Sequence, residues 1–471
     1  MRPDPVCRCR PRWMLGALSL MLLVLSGCAS TGMHGHYGSE RFPVPDEIAD
    51  NVDFWRHVYG VWRRDQIAFH DDRHLGVIYE VATLPGASQE SYTPEQRAWI
   101  AARKRHHAKR VRALETALRE QRPLERADRQ LLARFEQAGG REAVFGADDR
   151  VRSQRGLRER FKRGVEISGR YDGIFREIMR AHGVPEDLAY LPHVESSFQT
   201  HARSSVGAGG VWQFMPATGR LFMTVDGDVD ERFDPILAAD GAARYLAQAH
   251  RKLGSWPLAI TSYNHGQGGM ARAKAQYGDD IGRIVEDYDG RYFGFASRNF
   301  YAEFVAAREV AAHARRYFPE GLTYERPWRH DRLVLRHSLP VHRLASHYAL
   351  SPHQLSALNL HWRTHLSEGR RPIPAGTTVW LPEGSLQRIA SHPPAVPVVV
   401  ERKPAPRPQI ASTPRRGQAA ASRYHIVQPN ETLYRVALEN GLTVPQLRAL
   451  NQLTPGDNAI HPGQRLRIGG I

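Results

Sequence analysis

The sequence predicts a mainly α-helical protein that ends in two small modules of mixed α and β character. Three observations carry this. Apolar residues recur at helical spacing from Asp53 to about Gly140 and again from Val151 to about Tyr317. After Pro327 the apolar and β-branched groups come in shorter pairs. The last stretch also has an earlier relative, with Leu358-Asn359 answering to Leu450-Asn451 at an offset of 92 residues.

Composition bounds the function. The chain has 471 residues, 41% hydrophobic and 24% charged, which is ordinary for globular domains and excludes wholesale disorder. Three cysteines exclude a disulfide scaffold and a cysteine-based zinc module. Lys and Arg number 65 against 49 Asp and Glu, a net charge of +16. Such a surface attracts polyanions: nucleic acid, anionic lipid or an acidic wall polymer.

The elements follow in order. Arg2, Arg8, Arg10 and Arg12 precede an apolar run from Trp13 to Leu25, which is short of the roughly 20 residues a spanning helix needs. A basic start, a short apolar run and small residues after it make a secretory signal. Its end, Leu25-Ser26-Gly27-Cys28, resembles the lipobox of bacterial lipoproteins. That resemblance implies a signal peptide over 1–27, with diacylglycerol on Cys28. Cys7 and Cys9 would leave with the leader. An ordinary signal with a chance cysteine is the alternative. Ala29, in place of the Asp that retains such proteins in the inner membrane, favours the outer membrane, facing the periplasm. Export argues against nucleic acid as partner and leaves the membrane, through the anchor, and the wall.

Residues 28–150 are expected to be a polar tether followed by a basic helical region, with Phe54, Trp55, Val58 and Val61-Trp62 at helix spacing. The run Arg103-Lys104-Arg105-His106-His107 reads either as a polyanion contact or as a solvated helix face. Residues 151–320 continue the helical pattern, interrupted by glycines at 207–210. Residues 328–385 form the first small module. The span 386–422 is a linker whose prolines favour extended polyproline II, and 423–471 is the second module. Each module reads as a strand, two short helices and a closing strand.

The second module resembles a LysM domain, a βααβ unit that binds N-acetylglucosamine-containing chains. The matching residues include Tyr424-His425-Ile426-Val427, Asn430-Glu431-Thr432-Leu433, Gly441, Leu450-Asn451 and Pro462-Gly463. Asn430 stands where that family usually has Gly. The first module is degenerate: it lacks the Glu-Thr helix start and has Ala349 in place of Gly441. It either binds sugar or only braces its neighbour.

Candidate chemistry lies between Gly183 and Phe198. Pro185-Glu186-Asp187 is a helix start, with acids at the positive end of the dipole. On that helix Leu188, Leu191 and Glu195 share one apolar face, in a register that Pro192 should kink or end. A carboxyl among leucines is desolvated, which raises its pKa as a general acid requires. A structural Glu–Arg pair is the plainer reading of this helix alone. Glycines at 207, 209 and 210 allow close approach of a ligand. Trp212, Phe214 and Met215 are expected to line a sugar groove, and Tyr263-Asn264-His265-Gly266 follows farther on. His193 and His265 lack any metal-ligand spacing, so no metal is expected.

Together Glu195-Ser196, the Gly207 to Pro216 stretch and Tyr263-Asn264-x-Gly266 resemble the soluble-lytic-transglycosylase family, specifically its membrane-bound D-type members. The resemblance implies a lysozyme-like, goose-type α-helical catalytic domain. It also implies non-hydrolytic cleavage of the MurNAc-β-1,4-GlcNAc bond of peptidoglycan glycan strands, leaving 1,6-anhydromuramoyl ends and needing no cofactor. Carried over, Glu195 is the sole catalytic acid and base. Ser204, Gly210, Gln213, Met215, Tyr263 and Asn264 are substrate-groove residues, with Tyr263 hydrogen-bonded to Glu195. Asp230, Glu231 and Asp234 are read as structural. A hydrolytic muramidase on the same fold, or an inert LysM wall-binding lipoprotein, are the alternatives.

Overall fold

The structure is a computed structural model that describes residues 38–391 and, farther on, 424–427, 436, 442, 444–453, 460 and 463–468. The leader 1–27, Cys28, and Asn430 to Leu433 with Gly441 lie outside the described residues, as does 392–422 of the linker.

The described residues open with helix α1 (Asp46–Gly60), then strands β1 (Gln66–Asp71) and β2 (Ile78–Thr83), α2 (Pro94–Arg119), α3 (Arg126–Ala138) and β3 (Val151–Arg155). The helical expectation for 28–150 is corrected here. An antiparallel sheet in the order β2-β1-β3 sits between the helices. Strand β1 is buried along nearly its whole length, yet it carries His70 and Asp71 as well as Ile67 and Phe69. Its apolar residues therefore show no alternation. Asp71, fully buried, accepts from Arg150 Nε at 3.0 Å, which makes the polar burial tolerable. Helix α2 starts with a capping box between Thr93 and Gln96, with Pro94 in its first turn. Its basic run is partly spent internally, since Arg103 and His107 both reach Glu80, at 2.8 and 3.0 Å.

The helical body follows: α4 (Arg158–Ser168), α5 (Asp172–Ala181), a 3₁₀ turn (Glu186–Tyr190), α6 (Leu191–Glu195), α7 (Pro216–Gly219), α8 (Pro235–Leu253), α9 (Trp256–His265), α10 (Gln267–Tyr277), α11 (Ile281–Asp287), α12 (Phe295–Ala312) and α13 (Ala314–Tyr317). Asp234 caps α8 by accepting from Ile236 N and Leu237 N, and Gly254 ends it in the left-handed region at φ 72°. Helix α12 is buried almost all round, through Phe300, Tyr301, Phe304, Val305 and Ala307.

Helix α1 lies against α12. Ile48, Val52, Trp55, Val58 and Tyr59 join the same core, and Asn51 Nδ2 donates to Asn299 Oδ1 at 3.0 Å. The body thus draws on residues well before 151, although the sequence pattern alone suggested a separate region there. Among the described residues no helix is long and apolar enough to cross a membrane.

The first small module comprises β4 (Asp331–Val334), α14 (Val341–His347), α15 (Pro352–Leu358), α16 (Thr364–Ser367) and β5 (Thr378–Leu381), with β4 antiparallel to β5. Helix α17 (Ser385–Ser391) then occupies the stretch where the linker was expected to begin. The second module shows β6 (Tyr424–Ile426), α18 (Val444–Asn451) and β7 (Arg465–Arg467), again with an antiparallel pair. One asparagine closes each unit. Asn359 Nδ2 donates to the Leu355 and Trp380 carbonyls, while its Oδ1 accepts from Trp380 N. Asn451 makes the same three bonds to Leu447 O, Arg467 O and Arg467 N. The 92-residue repeat is therefore also a repeat of hydrogen bonding.

Candidate active site

Glu195 ends α6. As expected from Pro192, the stretch from Pro185 is broken into two short pieces, because Pro192 has no N–H for the Leu188 carbonyl. The chain restarts with Pro192 in the first turn of α6, where the missing donor costs nothing. Leu188 and Leu191 are buried as expected. Beyond Glu195 the backbone takes left-handed conformations at Ser197 (φ 52°) and Phe198 (φ 60°). Such angles are uncommon without glycine and need support from their surroundings. Phe198 is buried in the core, and Ser196 Oγ donates to Val211 O at 2.8 Å. That bond staples the end of α6 to the glycine-rich loop.

The Glu195 side chain keeps a limited surface open to water but is otherwise enclosed by protein. Burial pushes its pKa up to about 8, and the Glu303 carboxyl nearby adds to the rise. Glu303, on α12, is itself raised by burial, while a hydrogen bond with Tyr59 of α1 works the other way. Two acids held this close resist double ionisation. Neither Glu303 nor Tyr59 was picked out in the sequence. The signal was available: Glu303 stands in the apolar run Phe300-Tyr301-Ala302-Glu303-Phe304-Val305, the context that singled out Glu195.

Burial raises the Tyr263 hydroxyl well above an ordinary phenol, and the Glu195 charge adds to the rise. Its proton, however, goes to the Trp212 carbonyl at 2.9 Å rather than to Glu195. Asn264 is exposed and accepts from Ser297 Oγ at 2.7 Å. His193 lies behind the site, ring-stacked on Phe161 at 4.8 Å between centroids, and burial lowers it to about 3. It is a neutral core residue.

The loop 204–215 folds on itself. Ser204 N donates to Ala208 O, and Ser204 Oγ accepts from Ala208 N at 2.9 Å. Gly210 has φ 75° and is pressed onto the Arg232 carbonyl, where a Cβ would collide. Gln213, also left-handed at φ 48°, donates to Gly210 O at 2.7 Å. Trp212 and Phe214 do not line the groove. Trp212 has no exposed surface and Phe214 is nearly as buried, packed on Phe175 and Tyr263 respectively. The sharp turn at Gln213 directs these rings inward and leaves Gln213 and Met215 half-buried at the edge.

Below the loop, Arg232 donates to Gly207 O at 2.8 Å and Phe214 O at 2.9 Å. Its charge is met by Asp230 in a buried two-point pair, 2.8 Å at each oxygen. Glu231 accepts from Thr224 N, and Asp234 is occupied as the α8 cap. All three acids therefore have structural partners.

The chain matches the Transglycosylase SLT domain family over residues 173–284 and the LysM domain family over 425–469. The first match contains Glu195, Ser204, Gly210, Gln213, Met215, Tyr263 and Asn264; Tyr59 and Glu303 lie outside it. Among curated relatives, membrane-bound lytic murein transglycosylase D of Escherichia coli K12 is 25% identical over 307 residues, 62% of this chain and 61% of the relative. The chain thus spans about three fifths of that protein's length. Membrane-bound lytic murein transglycosylase F 2 of Alkalilimnicola ehrlichii is 35% identical over 127 residues, 25% of this chain and 27% of the relative. Peptidoglycan transglycosylase gp16 of Escherichia phage T7 is 35% identical over 123 residues, 25% of this chain and 9% of the relative. Residues 173–284 are accordingly a Transglycosylase SLT domain and residues 425–469 a LysM domain, in a chain homologous to a membrane-bound lytic murein transglycosylase D.

Proposed function

We propose that the protein is a peptidoglycan lytic transglycosylase of the bacterial cell envelope, with Glu195 as its acid and base. The observation that carries this reading is the place of the Glu195 carboxyl, enclosed by protein at the end of α6 and tied through Ser196 to the glycine-rich loop, where burial pushes its pKa up to about 8. A protonated carboxyl can donate to the glycosidic oxygen as the bond to the muramoyl anomeric carbon breaks. The substrate's acetamido oxygen closes on that carbon, in place of the second carboxylate most glycosidases use. The Glu195 carboxylate then takes the proton of the muramoyl 6-hydroxyl while that oxygen bonds to the anomeric carbon and releases the acetamido group. The product is a 1,6-anhydro end, and no water is consumed. Ser204, Gly210, Gln213, Met215, Tyr263 and Asn264 hold the glycan. The SLT match and the similarity to lytic murein transglycosylases support this assignment.

The LysM module at 423–471 supplies wall affinity. Cys28 carries the lipid anchor after removal of 1–27, and the chain faces the periplasm from the outer membrane. The "membrane-bound" names of the relatives support an anchored enzyme.

The test is muropeptide release from purified sacculi, with mass spectrometry of the products. Wild type should give anhydro ends. Glu195→Gln should lower release about a thousandfold while wall binding persists. Undiminished release by that variant overturns the assignment, and products one water heavier would make the enzyme a hydrolase.

A further inference from the structure

The first small module and the helical body exchange side chains. Trp380 of β5 is buried in the core of the body, edge-on to Trp328 at 5.3 Å between centroids. Val229, from the segment before α8, is buried in the core of the module and pairs by backbone with Trp362. The polar contacts between them converge on four aspartates, one of them through its backbone carbonyl. Trp380 Nε1 donates to Asp234 Oδ2, and His361 Nδ1 lies 3.4 Å from the same oxygen. Arg363 reaches Asp230 Oδ2 at 3.3 Å and donates to Asp226 O at 3.0 Å. His365 and Arg371 both meet Asp228 Oδ1, at 2.8 and 2.9 Å. Asp230 N also donates to His361 O at 2.7 Å.

The second module shows what is special here. Its asparagine closure places Arg467 at the position of Trp380, and Arg467 is exposed. An outward-facing place on the fold has thus become, in the first module, an aromatic plug with a donor aimed at a buried carboxylate. Of the carboxylates the module reaches, Asp230 is the one paired with Arg232, and Asp234, at the start of α8, follows Arg232 by two residues. Arg232 in turn fixes the carbonyls of Gly207 and Phe214, which bracket Gly210 and Gln213.

We propose that the first module is a built-in clamp on the glycan-binding loop, in which Trp380 anchors the module on Asp234 and Arg363 thereby holds Asp230, so that Arg232 keeps Gly207 and Phe214 in place. These are positioning residues, acting through the loop and touching no substrate. The function of the clamp rests on the activity proposed above, whereas its geometry does not.

Two variants of the full chain test it. Trp380→Phe keeps an aromatic ring in the core and removes the donor to Asp234 together with part of the indole's volume. Arg363→Met, at a half-exposed position, removes the contacts to Asp226 and Asp230 with little threat to folding. On soluble glycan fragments, Trp380→Phe should raise KM about tenfold with kcat within about twofold, since a module released from Asp234 no longer holds Arg363 against Asp230. Arg363→Met should raise KM about threefold, and Arg363→Lys should restore it, because a single cation still reaches Asp230. Hydrogen exchange at the Gly207 to Phe214 amides should quicken about tenfold in Trp380→Phe. Unchanged KM in both variants, with an active wild type, overturns the clamp. A fall in kcat that only tracks a lower folded fraction also overturns it, because a merely structural role predicts that. An inactive wild type would sink the activity assignment instead. The exchange rates then decide alone, with wild-type rates in Trp380→Phe refuting the clamp.

Discussion

Replacing Glu195 by glutamine should stabilise the folded chain, and by more as the pH rises. The Glu195 pKa is raised from an ordinary 4.5 to about 8, mainly by burial. Between those values the folded state binds more protons than the unfolded one. Stability contributed by this group is therefore complete below about pH 4.5 and is lost as the pH rises towards 8. Each pH unit in that window costs about 1.4 kcal/mol, which sets an upper limit of about 3 kcal/mol at pH 7. Residual water contact and the shared titration with Glu303 reduce this, so a gain of about 2 kcal/mol is expected. Glutamine fills the same space and carries no charge, so it escapes the cost. Urea unfolding followed by far-UV circular dichroism, on wild type and Glu195→Gln at about pH 4.5, 6 and 7.5, reads the difference directly. The two proteins should coincide at the lowest pH and diverge steadily above it. A pH-independent difference, or a variant less stable than wild type at pH 7.5, would refute the claim that burial controls this carboxyl.

Two further predictions concern other groups. Glu303→Gln removes a like charge from beside Glu195, so the basic limb of the pH–rate profile should move down by about one unit; an unmoved limb would show that the two carboxyls do not interact. Asn451→Ala deletes three hydrogen bonds from the second module and should destabilise it by about 2–3 kcal/mol. Pelleting with sacculi should then weaken while turnover on soluble fragments stays at the wild-type level, and loss of both together would contradict a separate binding role.

Much of this organisation was legible because it is local or periodic. The 92-residue repeat, the break at Pro192 and an acid among leucines at Glu195 are all signals of this kind. What stayed hidden depends on contacts distant in sequence. Strand β1 carries His70 and Asp71 inward, tolerable only because Arg150 arrives some 80 positions later, so its pattern does not announce a strand. Trp212 and Phe214 read as groove aromatics because nothing local reveals that Gln213 turns left-handed and sends both rings inward. The Tyr263 proton reaches a backbone carbonyl, and no side-chain motif records such a partner. The linker was expected from 386, but its leading residues continue a helix, since the prolines that prevent one begin only at Pro393.

Helix α1 has a practical consequence for dissecting the molecule. The SLT match begins at residue 173, and a fragment cut there would look like a complete domain on sequence grounds. It would lack Trp55, Val58 and Tyr59, stripping α12 of its cover and exposing the helix that carries Glu303. Such a fragment should aggregate, and any soluble portion should have an altered pH optimum, because Tyr59 no longer steadies Glu303. The smallest autonomous unit is better set by the packing of α1 than by the family match. Grafting this body onto another chain would require moving two segments together, one of them more than a hundred residues upstream of the motif that draws the eye.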